Sequence, residues 1–238
     1  MDIRYQVITK LPHHSDAADG GKVPQWGVRQ GCAAAARAVV AGLYWRHVLR
    51  PALGRLASDR AGRALVRRGL DARQLLVAQG ADGAVLGCCG LRDARGGAVR
   101  LDGAALRRIW GRGGLWRGLA LALWPAGPAT ADLVVDGLAV CPSWRRRGVA
   151  QALLRAALAE AARRGHPGLQ VELAAGNLAA LALYRRMGFT PRRRLRWRRV
   201  LVLRRDCGGA ERQAVNGPDA ACGTGETSRG CRGWSARH

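Results

Sequence analysis

The chain has 238 residues, enough for one domain with a substantial core, and 48% of them are hydrophobic. Its formal net charge is +24, a value typical of proteins that bind nucleic acid or an anionic surface. However, Lys10 and Lys22 are the only lysines, and the arginines are dispersed among abundant alanine and glycine, a composition that GC-rich coding produces. The charge alone therefore does not indicate a nucleic-acid binder, although the runs at Arg145–Arg147 and Arg192–Arg199 remain candidate anion contacts.

The cysteines and the apolar segments indicate where the protein resides. None of the seven cysteines has a C-x-x-C partner, and no histidine pair complements them at zinc-ligand spacing, so we expect no metal site. A domain of this size needs no disulfide scaffold, which favours a reducing, cytoplasmic location. The first residues do not resemble a signal peptide. Because Arg37 and Arg117 interrupt the longest apolar stretches before the roughly 20 residues that cross a bilayer, we expect no transmembrane segment.

Strand and helix patterns alternate with loops through the first part of the chain. Tyr44, Trp45 and His47 either line a substrate pocket or pack on an amphipathic helix, and their helical spacing favours packing. Cys88 and Cys89 are expected in the core. The predicted elements are a strand (Ile3–Thr9), a loop (Leu11–Gly27), a helix broken or kinked at Pro51 (Gln30–Leu56), a helix capped by Ser58 (Ser58–Arg68), a hairpin (Gln74–Gln79 and Ala84–Leu91), a polar loop (Arg92–Gly97) and a helical insertion (Asp102–Trp124).

Residues 132–189 carry the clearest succession of elements. Pro142 ends the first strand because proline cannot donate to a strand ladder. The next helix has its apolar residues at i, i+3, i+4 and i+7. The predicted elements are a strand (Asp132–Val140), a helix (Gly148–Arg164), a strand (Leu169–Leu173), a helix from Asn177 to Gly188 and a final strand (Arg194–Arg204). A disordered tail, or a read-through or frameshifted end, is predicted over residues 206–238.

A basic turn, Arg145–Gly148, lies between the first strand and the helix that follows it. Free backbone N–H groups at a helix start favour an anionic ligand. An ordinary strand-to-helix turn with solvated arginines is the alternative interpretation. It explains the turn, but not the pattern around Asn177 and Tyr184 downstream.

Two motifs resemble those of the GNAT superfamily of acetyl-CoA-dependent N-acetyltransferases. The first is LAV-x-P at Leu138–Pro142 with R-x-x-G-x-A at Arg145–Ala150, and the second is N-x-x-A-x-x-L-Y-x-x-x-G-F from Asn177 to Phe189. Both occur in order, with one helix and one strand between them, so the resemblance is specific over residues 132–189 and loose upstream. It implies a single α/β domain over residues 1–205, with a mixed, twisted sheet and flanking helices.

The resemblance implies acetyl-CoA as co-substrate, and the residue types suit that ligand. The pantetheine arm resembles a peptide, so a splayed strand end can pair with it through backbone groups. The pyrophosphate would bind the amides from Arg146 to Gln151 at the positive end of the helix. The predicted acetyl-CoA contacts are Leu138, Ala139, Val140, Arg145, Arg146, Arg147, Gly148, Val149, Ala150, Gln151, Asn177 and Tyr184.

Acetyl transfer needs a neutral amine, a polarised thioester carbonyl and a protonated thiolate. The resemblance assigns sulfur protonation to Tyr184 and carbonyl polarisation to the amide of Val140; a buried helix aromatic is the other interpretation of Tyr184. The segment LQVELAAGN resembles ribosomal-protein alanine N-acetyltransferases, in which the glutamate at Glu172 accepts the proton. A surface carboxylate paired with an arginine is the other interpretation of Glu172. Asp136 is the alternative base, acting directly or through water.

The acceptor is not identified by any motif. A peptide or protein N-terminus is one hypothesis, which Glu172 suggests, and a small or aminoglycoside-like amine is another. The many arginines disfavour a polycationic acceptor. A homodimer is one assembly that the sequence leaves open. The competing function class is a non-catalytic acyl-CoA sensor or nucleic-acid-binding protein on the same fold.

Overall fold

The structure is a computed structural model that describes residues 26–53, 57–100, 130–174, 176–195 and 200–207. Several predictions lie wholly or largely outside these ranges. They are the strand at Ile3–Thr9, most of the loop at Leu11–Gly27, the insertion at Asp102–Trp124 and, except for two residues, the tail at 206–238. None of the helices in the described ranges is long and apolar enough to cross a membrane.

The described elements are strands and helices that alternate along the chain. The strands are β1 (Trp26–Gln30), β2 (Leu75–Gly80), β3 (Val85–Arg92), β4 (Leu133–Val140), β5 (Gly168–Ala174), β6 (Thr190–Leu195) and β7 (Val200–Asp206). The α-helices are α1 (Arg37–Tyr44), α2 (Arg50–Leu53), α3 (Asp59–Gly69), α4 (Val149–Arg163) and α5 (Leu178–Arg186).

The strands form one mixed sheet, in the order β1-β2-β3-β4-β5-β7-β6. Neighbouring strands are antiparallel except for β4 and β5, which run parallel. Helix α4 connects these two strands, as a parallel pair requires. The predicted α/β fold with a mixed sheet is therefore confirmed.

Apolar residues are buried on both faces of the sheet. Along β2, Leu76 belongs to a core formed with α4 and α5, whereas Leu75 and Val77 belong to a second core formed with α1 and α3. Successive strand residues point to opposite faces, so a strand buried on both sides reads as a continuous apolar run. Cys88 and Cys89 lie in the two cores in turn, and their predicted burial is confirmed.

The predicted helix ends agree with the structure at several caps. The Ser58 hydroxyl accepts a hydrogen bond of 3.3 Å from the Ala61 amide at the start of α3. Beyond α4, the amides of Gly165 and His166 donate to carbonyls of the last helical turn, a Schellman ending. Gly188 takes the equivalent position after α5. Local capping chemistry therefore fixed these boundaries.

The region from Gln30 to Leu56, predicted as one helix broken or kinked at Pro51, differs in part from the prediction. Gln30 ends β1, and α1 begins only at Arg37. Strand β1 was not predicted because Val28 is its one buried residue, which gives no alternating apolar pattern. The break lies upstream of Pro51, as a π-helical turn over Trp45–Leu49. Proline clashes with the carbonyl four residues before it, and a widened turn relieves that clash so that the chain continues into α2.

The prediction of a single final strand at Arg194–Arg204 is wrong. The structure has two antiparallel strands there, β6 and β7, and Thr190 pairs with Arg204. Many of the residues are arginines, so the sequence carries little apolar periodicity to mark a hairpin. Pairing with β5 and packing of Val202 and Leu203 in the interior determine the position of β7.

Candidate active site

Strands β4 and β5 pair over a short distance and then separate. Their parallel register ends at Val135 and Val171. At the same point β4 has one residue more than β3, because the pairing shifts between Val135 and Gly137 and leaves Asp136 as a β-bulge. A bulge bends its strand and increases its twist. The opening between β4 and β5 beyond these residues is called the fork.

Peptide groups of β4 point into the fork. The Cys141 amide donates to the Leu86 carbonyl at 2.8 Å. The backbone groups of Cys141 therefore face β3. Antiparallel hydrogen bonding alternates along a strand, which turns the peptide groups of Ala139 toward β3 and those of Leu138 and Val140 toward the fork. Leu138, Ala139 and Val140 were predicted to pair with the pantetheine arm. Two of them, Leu138 and Val140, therefore present backbone donors and acceptors to the fork.

A cleft of about 650 Å³ extends from the fork to the start of α4 and to α5. It is called the fork cleft. Among its lining residues are the predicted acetyl-CoA contacts Leu138, Val140, Arg145, Arg146, Gly148, Val149, Ala150 and Gln151. Trp144, Leu183 and Arg186 also line it and were not predicted.

The basic turn carries backbone amides without protein acceptors. The first amide of α4 that donates within the helix is that of Ala152, which bonds to the Gly148 carbonyl at 3.0 Å. Within the described ranges, the amides from Arg146 to Gln151 find no acceptor. Gly148 has a φ of +79°, in the left-handed region that favours glycine, and a Cβ there would meet no atom within 4 Å. A turn of this kind at a positive helix end fits a phosphate or pyrophosphate.

The other predicted contacts do not line the fork cleft. The Ala139 side chain faces the α1 side of the sheet. The Arg147 guanidinium stacks over the Trp144 ring at 5.1 Å. The Asn177 side chain accepts a hydrogen bond of 3.1 Å from the Ala180 amide and so caps α5.

Tyr184 is buried beside the fork cleft, with 5% of its surface exposed. Its ring lies 5.6 Å from that of Phe189, and the preceding residue, Leu183, lines the cleft. Burial, and to a lesser degree the neighbouring Cys89 thiol, raises the pKa of the Tyr184 hydroxyl above its ordinary value. The hydroxyl therefore carries its proton at neutral pH.

Glu172 is the first residue of β5 beyond the paired segment, so it lies at the base of the fork. Its Oε1 atom is buried and has no hydrogen-bond partner within the described ranges. The nearest cation is the Arg92 guanidinium, whose Nη2 lies 3.6 Å away. This distance makes an ion pair but is too long for a good hydrogen bond. The pairing with an arginine that the sequence left open is therefore present, while Oε1 still accepts no hydrogen bond in the described part of the chain.

Asp136 lies opposite Glu172, at the bulge of β4. Its Oδ2 accepts a hydrogen bond of 3.3 Å from the Tyr44 hydroxyl, and its Oδ1 lies 3.7 Å from the Arg92 Nε. Burial raises the pKa of this carboxyl, against the opposing effects of Arg92 and of hydrogen bonds from Tyr44 and the Ala98 backbone. Arg92 thus stands between the two predicted bases.

Tyr44 and Arg92 take part in this arrangement, although neither was predicted to do so. Tyr44 was interpreted as a packing residue, and it is indeed buried, but its hydroxyl bonds to Asp136. Arg92 was assigned to a polar loop, whereas it ends β3. No local pattern marks either residue, because their partners are distant in the chain.

His47 is a further unpaired polar group near β4. Its Nε2 atom is buried and has no hydrogen-bond partner in the described part of the chain. The next residue, Val48, approaches so closely that a Cβ on Gly137 would lie 2.7 Å from its Cγ1 atom. Burial, followed by the charges of Arg145 and Arg46, lowers the pKa of His47. The imidazole is therefore neutral at pH 7.

Solved acetyltransferases share this fold. A crystal structure described only as an acetyltransferase is 18% identical and aligns over 76% of this chain and 98% of its own, with a TM-score of 0.55. An N-acetyltransferase from Staphylococcus aureus Mu50 is also 18% identical and aligns over 75% of this chain and 99% of its own, with a TM-score of 0.52. These likenesses establish the fold.

A ribosomal-protein-S18-alanine N-acetyltransferase from Escherichia coli is 16% identical and aligns over 76% of this chain and 94% of its own, with a TM-score of 0.45. This likeness is too distant to single out that group. A search of curated protein sequences gives no significant match. The sequence profile of the acetyltransferase (GNAT) family matches residues 45–189, which is more than half of the chain. The chain belongs to the GNAT family of acetyltransferases.

Proposed function

We propose that this acetyltransferase moves an acetyl group from acetyl-CoA directly to a primary amine at the fork. The observation that carries the proposal is the fork cleft, in which free peptide groups of Leu138 and Val140 continue into a turn with unpaired amides. The ligand that suits both features is long and carries amides along an arm that leads to a pyrophosphate. Acetyl-CoA has this chemistry.

The arm would pair with the peptide groups of Leu138 and Val140, as in strand addition. The pyrophosphate would accept hydrogen bonds from the amides between Arg146 and Gln151. Arg145 and Arg186, which line the same cleft, would add positive charge near it.

The reaction is an aminolysis of the thioester. The neutral amine nitrogen attacks the carbonyl carbon, an N–C bond forms and the C–S bond breaks. The proton that the nitrogen loses as it becomes an amide passes to water and balances the proton that Tyr184, which is reprotonated from water, gives to the sulfur. The Val140 amide would stabilise the negative charge on the carbonyl oxygen. Tyr184 would give its proton to the departing thiolate, since the hydroxyl is protonated at neutral pH.

Glu172 is the proposed base that takes the proton from the incoming ammonium. Its support is the Oε1 atom at the base of the fork, which accepts no hydrogen bond in the described part of the chain and has only the Arg92 ion pair at 3.6 Å. Asp136 is the alternative base, directly or through water. Arg92 lies near both carboxylates, but Asp136 in addition accepts a hydrogen bond from Tyr44. The two carboxylates together would also attract a cationic amine, and Arg92 would moderate that attraction.

The acceptor is proposed to carry one ammonium group, on a peptide or protein N-terminus or on a small amine. Arginines around the fork cleft disfavour an acceptor with many positive charges. The cytoplasm remains the proposed compartment, supported by the five described cysteines, all of which are free thiols.

An acceptor screen tests the function. Purified chain is mixed with acetyl-CoA and panels of peptides with different N-terminal residues, small amines and aminoglycosides, and the released CoA thiol is measured. We expect thiol release with at least one primary amine, accompanied by a mass increase of the acceptor by one acetyl group. Thiol release that is independent of any amine would indicate hydrolysis and contradict direct transfer.

A further inference from the structure

A second cleft lies at the C-terminal end of α4, whereas the basic turn lies at its N-terminal end. The volume of this second cleft is about 640 Å³. Residues from the turns at 71–74 and 93–96, and from the end of α4, contribute to its lining. The arginines among them are Arg73, Arg95, Arg100, Arg163 and Arg164. It is called the arginine cleft.

The carboxylates near the arginine cleft are largely buried, although Asp71 is one of its lining residues. The side chain of Glu160 is fully buried, that of Asp93 is 5% exposed and that of Asp71 is 19% exposed. Each has an arginine partner already. Glu160 binds Arg163 and Arg164, whereas Asp71 lies 3.2 Å from the Arg100 Nε and accepts from the Arg73 amide at 3.0 Å. The negative charge at the cleft is therefore paired, and the remaining arginines leave an excess of positive charge.

Arg164 ties the walls of the cleft together. Its Nε donates to Glu160 at 2.6 Å, its Nη1 to Gln74 at 2.7 Å and to Asp93 at 2.9 Å, and its Nη2 to the Arg73 carbonyl at 2.7 Å. Only 10% of this side chain is exposed. The two turns and the helix end are thus held in one arrangement before any ligand arrives, which lowers the cost of binding.

Arg73 and Arg95 are the exposed cations of the cleft that remain without a counter-ion in the described part of the chain. Arg73 comes from the turn that Asp71 caps, and Arg95 from the turn that Asp93 caps at 2.8 Å. Both residues line the same concave site, where an anion would offset the repulsion between their like charges. In the described part of the chain, the cleft therefore has positive charge that no carboxylate balances.

We propose that the arginine cleft binds a phosphate or pyrophosphate group of a small ligand. Guanidinium groups match phosphate oxygens with paired hydrogen bonds, and several arginines around one site favour a multivalent anion. The proposal does not depend on acetyl transfer, because the cleft shares no lining residue with the fork cleft.

Calorimetric titration with pyrophosphate, in chloride buffer without phosphate, tests the proposal. The proteins are the full chain, the double variant Arg73→Ser/Arg95→Ser, the variant Arg146→Ser in the basic turn, and Arg60→Ser as a control on the exposed face of α3. Because the amides of the basic turn can hold a second pyrophosphate, we expect two binding steps in the full chain. One step survives Arg146→Ser and Arg60→Ser and weakens at least about tenfold in the double variant, whereas the step at the basic turn is kept in the double variant. The double variant should unfold at the same temperature as the wild type, since both side chains are exposed.

Three outcomes would overturn the assignment. The first is no binding of pyrophosphate to the full chain. The second is binding lost with Arg146→Ser and kept in the double variant, which would locate the anion at the basic turn. The third is an equal loss with Arg60→Ser, which would indicate that only net charge matters.

Discussion

Tyr184 is the residue on which sulfur protonation depends in the proposed reaction. It is buried, keeps its proton at neutral pH and lies next to a residue that lines the fork cleft. Tyr184→Phe should lower kcat by about a hundredfold or more, since a positioned general acid contributes that much. The Kd for acetyl-CoA should change little, because the ring and its packing against Phe189 remain. Rapid kinetics and calorimetry measure the two quantities, and unchanged turnover would mean that water protonates the sulfur.

Glu172 and Asp136 can be distinguished by the pH dependence of kcat/KM. A base must be deprotonated, so activity rises with pH through its pKa. Glu172→Gln should remove this rise and lower kcat/KM by about a hundredfold or more, whereas Asp136→Asn should keep the rise. If Asp136→Asn removes the rise and Glu172→Gln keeps it, Asp136 is the base.

Helix α4 carries the buried carboxylate that joins it to the rest of the domain. Glu160 accepts hydrogen bonds from Arg163 and Arg164, and from Gln30 of β1 at 3.2 Å. Glu160→Ala removes one of the two carboxylates that bind Arg164, which keeps Asp93, and should lower the free energy of unfolding by about 1–3 kcal/mol. Arg155→Ala, on an exposed position of the same helix, is the control and should change it by less than about 0.5 kcal/mol.

The effect of Glu160→Ala should depend on pH. Burial alone would raise the pKa of Glu160, but hydrogen bonds from Arg163 and Arg164 outweigh it and lower the pKa from 4.5. A lowered folded-state pKa gives stability that is present above 4.5 and is lost as the pH falls through the folded value. Denaturant unfolding at several pH values should show that the difference in the free energy of unfolding between wild type and Glu160→Ala becomes smaller in acid. A constant difference would mean that packing, not charge, accounts for it.

Elements with local signals were predictable. Ser58 and Asn177 accept backbone hydrogen bonds at helix starts, and Gly165 and Gly188 follow helix ends, as their sequence positions indicate. Strand β1 was not predicted, and β6 and β7 were merged into one strand. Their positions depend on pairing with strands elsewhere in the chain, β2 for β1 and β5 for β7. Pro51 was recognised as a breaker, but the sequence does not reveal that a π-helical turn absorbs the strain.

For the whole molecule, the motifs predicted the fork cleft better than its chemistry. The lining residues between 138 and 151 belong to one strand, one turn and one helix, which are continuous in the sequence. The bulge at Asp136, and the position of Arg92 between Asp136 and Glu172, arise only when β3, β4 and β5 come together. The arginine cleft likewise combines distant turns with the end of α4, and no motif announces it.

The net charge of +24 keeps nucleic-acid binding as the competing account of the whole molecule. Calorimetric titration of the chain with acetyl-CoA, and separately with duplex DNA at physiological salt, decides between the two accounts most directly. We expect saturable heat from acetyl-CoA, weakened by Arg146→Ser, and no tight binding of DNA. Micromolar binding of DNA without any heat from acetyl-CoA would contradict the account, since it would show that the basic surface and not the fork carries the function.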